Sequence, residues 1–136
     1  MLNKGSFYHL TYKNMRYLNK VMLLGHLVKD PEKKKTENDY SLTIFHLATN
    51  KPIVRKTGEI EKETQFHRIV AWRGLADVCK THLTKGSLVL VEGELDHRKY
   101  ESKEGENRTI SEVKAERVIF LKIKKNEIEV NPAEDK

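Results

Sequence analysis

Along most of this chain apolar and polar residues alternate with a period of two, the pattern of half-buried β-strands. Asn19 to Lys29 forms the first such stretch; Gly25 allows a bend or bulge, and Asp30-Pro31 ends it. Residues 32–39 read as a turn region centred on Lys33-Lys34-Lys35. Tyr40 to Asn50 is a second strand, residues 51–63 a charged loop containing Gly58, and Thr64 to Trp72 a third strand. The period then changes. Leu75, Val78, Cys79 and Leu83 recur at helical spacing and Gly86 follows, which predicts one short helix over residues 75–84. Ser87 to Leu95 is a fourth strand. Residues 96–110 form a hairpin with its tip at Lys103-Glu104-Gly105-Glu106-Asn107, and residues 111–123 a fifth strand. The apolar parity of this last strand shifts between Ala115 and Val118, which places a bulge at Glu116-Arg117.

Three strands, one helix and two strands is the order of an all-β OB-fold, a five-stranded Greek-key barrel. Its short helix falls between strands 3 and 4 and its long hairpin between strands 4 and 5. A small sandwich fits the same strand count.

The third strand has an unusual face. Phe66, Arg68, Val70 and Trp72 share one side, and His67, Ile69 and Ala71 the other. A core has no use for the arginine, and a solvated face has little use for the tryptophan. A surface that stacks nucleobases and neutralises phosphates needs both. Tyr100, beside Arg98 and Lys99 in the predicted hairpin, is a third candidate ring. Single aromatics in a small barrel usually belong to the core; the interleaved cations argue for base contact here. Lys33, Lys34, Lys35, Arg55, Lys56, Lys85, Arg98 and Lys99 are candidate phosphate contacts, although charge runs commonly face solvent alone.

Charge supports the same class of partner. The 136 residues carry a formal charge of +6, with a pI near 9.3, which favours a polyanion. Hydrophobic residues make up 38% and charged residues 34%, so a small core sits under a heavily charged surface. One cysteine, Cys79, excludes an internal disulfide, and its place in the predicted helix marks it as a buried thiol. The six histidines lack metal-ligand spacing, and there is no glycine-rich phosphate loop, dinucleotide fingerprint or recognisable catalytic set. The expectation is therefore no enzyme activity, no metal and no cofactor. No apolar run approaches the length of a membrane span, so no membrane partner is expected.

Residues 1–17 contain no Asp or Glu and read as a basic N-terminal extension, either a flexible arm or an organelle presequence. Residues 18–123 form the binding domain, and 124–136 a short polar tail.

Several segments resemble one family. Leu18-Asn19-Lys20-Val21-Met22-Leu23-Leu24-Gly25-His26-Leu27 and Asp30-Pro31-Glu32 are similar to the opening of bacterial and mitochondrial single-stranded DNA-binding proteins. Leu47-Ala48-Thr49-Asn50, Phe66-His67-Arg68-Ile69-Val70-Ala71-Trp72 and Lys85 to Leu95 follow in the family's order. The resemblance covers residues 18–121. It implies an OB-fold homotetramer that binds single-stranded DNA without sequence preference, in replication, recombination and repair. It places stacking residues at Ile53, Phe66, Trp72 and Tyr100, of which Ile53 lacks a ring. It also implies that His67 lies at a subunit interface, and that Lys85, Arg98 and Lys99 track the backbone. The chain stops at Asn131 to Lys136 without the acidic-apolar tip that recruits replication and repair proteins in bacterial members. Bacterial cytoplasm (nucleoid) is the expected location, with the mitochondrial matrix as the alternative. The alternative function is a primosome-type OB adaptor that binds replication proteins and DNA only weakly.

Overall fold

In the five long strands one set of alternate side chains is sealed from water over part of its length, and these sets meet in a single core. Phe45, Leu47, Ile69, Ala71, Val89 and Val91 are its centre, all essentially inaccessible. The computed structural model describes residues 15–122. They form β1 (Val21–Leu27), β2 (Glu32–Lys35), β3 (Ser41–Val54), β4 (Ile60–Trp72), α1 (Arg73–His82), β5 (Leu88–Glu101) and β6 (Asn107–Lys122).

β1 pairs antiparallel with both β3 and β5, β5 with β6, β6 in parallel with β4, and β4 with β3. Those pairings close a five-stranded barrel, the expected OB architecture, and leave the short β2 as an added edge strand on β3. Gly25 lets β1 cross from one partner to the other, because a Cβ there would lie 2.4 Å from the Ala48 carbonyl oxygen. At Gly93 the fit is tighter still, with Lys114 O 2.1 Å from where a Cβ would be. Gly93 sits beside the bulge. Glu92 opposes Arg117 and Gly93 opposes Ala115, so Glu116 is the extra residue, as the parity shift predicts. Before β1, Asn19 extends the ladder with its side chain, donating to Leu95 O at 2.9 Å and accepting from Leu95 N at 3.0 Å.

The helix plugs the barrel. Ala76, Cys79 and Leu83 are buried against it, and the Thr43 hydroxyl donates to Ala76 O at 2.8 Å inside the core. Burial pushes the Cys79 thiol up to about 12, which leaves it an inert apolar group.

Two segments depart from expectation. Lys33-Lys34-Lys35 is strand rather than turn, because β3 offers it a complete antiparallel edge from Ser41 to Ile44. The charged segment 51–63 is mostly the two arms of a hairpin, paired as far as Val54 opposite Ile60, and only residues 55–59 turn. Its charged side chains pair across the strands, Lys51 with Glu63 and Arg55 with Glu61, so polarity on both faces does not prevent pairing. The hairpin tip at residues 102–106 is as expected, but its arms are direct continuations of β5 and β6. Of the expected extension at 1–17, residues 1–14 lie outside the described residues, as does the whole of the expected tail at 124–136.

Candidate nucleic-acid interface

Alternation on β4 turns Ile69 and Ala71 into the core and therefore Phe66, Arg68, Val70 and Trp72 outward. On the same face β3 places Ala48, His46, Ile44 and Leu42 opposite them in register. The outer face is concave where β2, β5 and β6 rise beside these strands. A hollow of about 350 Å³ has an apolar floor that includes Ile44 and Val70, with Trp72, Lys34, Arg68 and Arg98 at its walls. Phe66 lies beyond Arg68 and is 65% exposed, an apolar ring that nothing in the described chain covers.

Tyr100 lies on the same side of β5 as Arg98, since the two are separated by one residue, and it is half-exposed. The outer face therefore carries three rings, Phe66, Trp72 and Tyr100, with Arg68 and Arg98 among them. Glu112 is the residue missed in the sequence. Its side chain is only 7% exposed, and it accepts a hydrogen bond from Arg68 Nε at 2.9 Å and another from Arg98 Nε at 3.3 Å. A buried carboxylate between two guanidiniums fixes their orientation and leaves one net positive charge for the three groups. In the sequence Glu112 is one acidic residue among many in a strand, and only closure of β6 onto β4 brings it to Arg68.

The other candidates separate. On β2, alternation sends Lys34 toward the hollow, while Lys33 pairs with Asp77 of α1 at 2.9 Å and Lys35 with Asp39 at 3.3 Å. Lys99 lies on the face of β5 away from Arg98 and Tyr100. Arg55 is held by Glu61 through two bonds of 2.9 and 2.6 Å at the far hairpin tip, next to the exposed Lys56. Lys85 is in the loop before β5, its amide held by Asp30 at 2.8 Å, and it is not among the residues lining the hollow. Ile53, half-buried, pairs with Glu61 on the side of β3 opposite the Phe66 face. Pro52, Val54 and Ile60 lie on the Phe66 face instead. His67 is half-buried on the reverse side, 2.8 Å from the Thr49 hydroxyl.

His46, directly opposite Arg68, has its pKa held below 6.5, first by burial and then by the charges of Arg68 and Lys29. Among the described residues no group of three or more His, Cys, Asp or Glu side chains could hold a metal ion. No helix among them is long and apolar enough to cross a membrane.

Comparison with known proteins bears on the family and the fold. The model of the Single-strand binding protein family matches residues 18–121. The Single-stranded DNA-binding protein 1 of Chlorobaculum tepidum is 42% identical over 99 residues, 72% of this chain and 61% of that protein. The Single-stranded DNA-binding protein of Thermotoga maritima is 40% identical over 79% of this chain and 76% of its own length. The Single-stranded DNA-binding protein A of Bacillus subtilis is 41% identical over 79% of this chain and 61% of its own. This chain thus spans about three fifths of the Chlorobaculum and Bacillus proteins. Among solved structures, the Plasmodium falciparum SSB in complex with single-stranded DNA superposes with a TM-score of 0.71 at 32% identity, covering 79% of this chain and 98% of that one.

Proposed function

This chain belongs to the single-strand binding protein family, and we propose that it binds and protects single-stranded DNA, without sequence preference, along the outer face of the barrel. The observation that carries this is the placement of Phe66, Trp72 and Tyr100 on one face with Arg68, Arg98 and Lys34 among them. Unpaired bases expose π-faces of every sequence, so rings bind them indiscriminately, each worth about 1–3 kcal/mol, while the cations take the phosphates. A duplex buries those π-faces and offers the rings nothing. Arg55, Lys56, Lys85 and Lys99, outside the central hollow, serve a strand that continues past it; Ile53 adds no stacking.

The working form is a homotetramer in which His67 lies at or near a subunit boundary. Met22 and Leu24 support an assembled state: they are 58% and 54% exposed on the outside of β1, and Leu24 lies opposite Leu90. Such a strip favours cover by another copy. Bound copies would present several grooves on one body, raising the effective concentration of each for the rest of the strand. The similarity to bacterial proteins supports the bacterial nucleoid as the place of action, in replication, recombination and repair, and the protein acts by binding rather than by catalysis.

Competition between labelled oligo(dT) and a duplex of equal length tests the binding mode. Strong preference for the single strand is expected, and equal affinity contradicts it. Native mass spectrometry tests the assembly: four copies of the 15.9-kDa chain are expected, with DNA and without.

A further inference from the structure

Past Trp72 the chain does something costly. Arg73, the first residue of α1, has φ 56°, in the left-handed region where a side chain of this size is uncommon. Glycine would occupy that position without strain, and Gly74 stands next in sequence. Backbone strain of this kind persists where the surroundings hold it in place, and it gathers at binding sites. What Arg73 gains is a position: its guanidinium lies over the Tyr40 ring, 4.7 Å from the centroid.

A second observation concerns charge. Each of the other six described arginines, Arg16, Arg55, Arg68, Arg98, Arg108 and Arg117, lies within 4.0 Å of a carboxylate. Arg73 is exposed, and among the described residues no carboxylate pairs with it. A third is space. Tyr40, Trp72, Arg73 and Lys114 border a hollow of about 500 Å³, within the range of about 300–1,000 Å³ typical of small-ligand sites. Trp72 and Lys114 also line the hollow over Val70, so the two run together along one path.

We propose that Arg73, backed by the Tyr40 ring, is a further base-stacking station for single-stranded DNA beyond Trp72, with Lys114 taking a phosphate beside it. This rests on the proposed function and lengthens the strand's path around the start of β3 and α1. Guanidinium planes stack on aromatic rings, and nucleobases stack on guanidinium planes in turn. The tyrosine holds the plane in place before the base arrives, so little freedom is lost on binding. A lone phosphate would need the charge but not the plane, and a protein carboxylate would need neither Tyr40 nor the adjoining Trp72.

The test is anisotropy of a labelled oligo(dT) of about 35 nucleotides, long enough for more than one groove at about 4–16 nucleotides each, together with thermal unfolding. Arg73→Gly relieves the strained backbone and removes the guanidinium. It should keep or raise the Tm while weakening binding about 5- to 50-fold. Arg73→Lys retains the charge without the plane and should not restore affinity; Tyr40→Ala should weaken binding about 3- to 10-fold. Wild-type affinity in Arg73→Gly, full affinity in Arg73→Lys, or a large fall in Tm for Arg73→Gly would each overturn the proposal. The first two leave the arginine plane without a stacking role, and the third makes it a structural strap. In all of these cases Phe66→Ala should still impair binding, so the proposed function survives. Failure of the wild-type protein to bind oligo(dT) would instead remove that function itself.

Discussion

Arg68 donates its Nε hydrogen to Glu112 at 2.9 Å, and the carboxylate that receives it is almost wholly buried beneath the outer face. The second Glu112 oxygen takes Arg98. Glu112 thus holds two cations of the proposed DNA track in place and cancels one of their charges. Glu112→Gln should destabilise the fold by about 1–3 kcal/mol, the range for hydrogen bonds to charged groups. It should also steepen the salt dependence of single-strand binding by up to about 0.7 in log–log slope, the value for one extra phosphate contact. Thermal unfolding and titrations at several salt concentrations read the two effects separately. An unchanged slope would mean that Arg68 and Arg98 do not face the strand.

Phe66 separates binding from stability. At 65% exposure its ring contributes little to the core, so Phe66→Ala should leave the Tm nearly unchanged. Binding to oligo(dT) should weaken by about 1–3 kcal/mol. Tyr100→Ala should act in the same direction. Wild-type affinity in both variants would remove the hairpin side of the track.

Gly93 tests the fold. A methyl group there would meet the Lys114 carbonyl oxygen at 2.1 Å, and backbone at a bulge between paired strands has little room to retreat. Gly93→Ala should cost about 1–3 kcal/mol, as overpacked sites do, and chemical denaturation would measure it. Gly58→Ala is a useful contrast: it has φ 89° but nothing within 4 Å, so its cost is conformational alone.

His46 predicts a dependence on pH. Its folded pKa lies below the ordinary 6.5, so the folded state binds fewer protons than the unfolded chain near that pH. The stabilisation is complete above about pH 6.5 and declines as the pH falls toward the lowered value. Its Nδ1 is buried without a hydrogen-bond partner, so an added proton there would find no acceptor. The Tm of the wild type should fall more than that of His46→Gln between about pH 7.5 and 5.5. Parallel curves would contradict this.

Local pattern made much of this legible in the sequence. Alternation gave the strands, the change to helical period gave α1, and the parity shift after Ala115 located the bulge at Glu116. The same alternation put Phe66, Arg68 and Trp72 on one face. Features that depend on closure were not legible. β2 escaped because four charged residues after a proline carry no apolar signal, although β3 supplies all their pairing. Glu112 needed the parallel contact of β6 with β4, and Arg73 needed a left-handed backbone to reach Tyr40 across the start of β3. Ile53 shows where motif order and strand register point different ways. Its position in the motif order implied a stacking site, but strand register puts it on the face away from Phe66.

The central claim is that single-stranded DNA lies across the outer face of β4. Trp72, the only tryptophan in the chain, stands at that place and reports on it directly. Its fluorescence, titrated with oligo(dT) and with a matched duplex at rising salt, is the decisive measurement. Saturable quenching by the single strand is predicted, weakening as salt increases, with little response to the duplex. No quenching despite binding, or the same quenching by duplex, would contradict it.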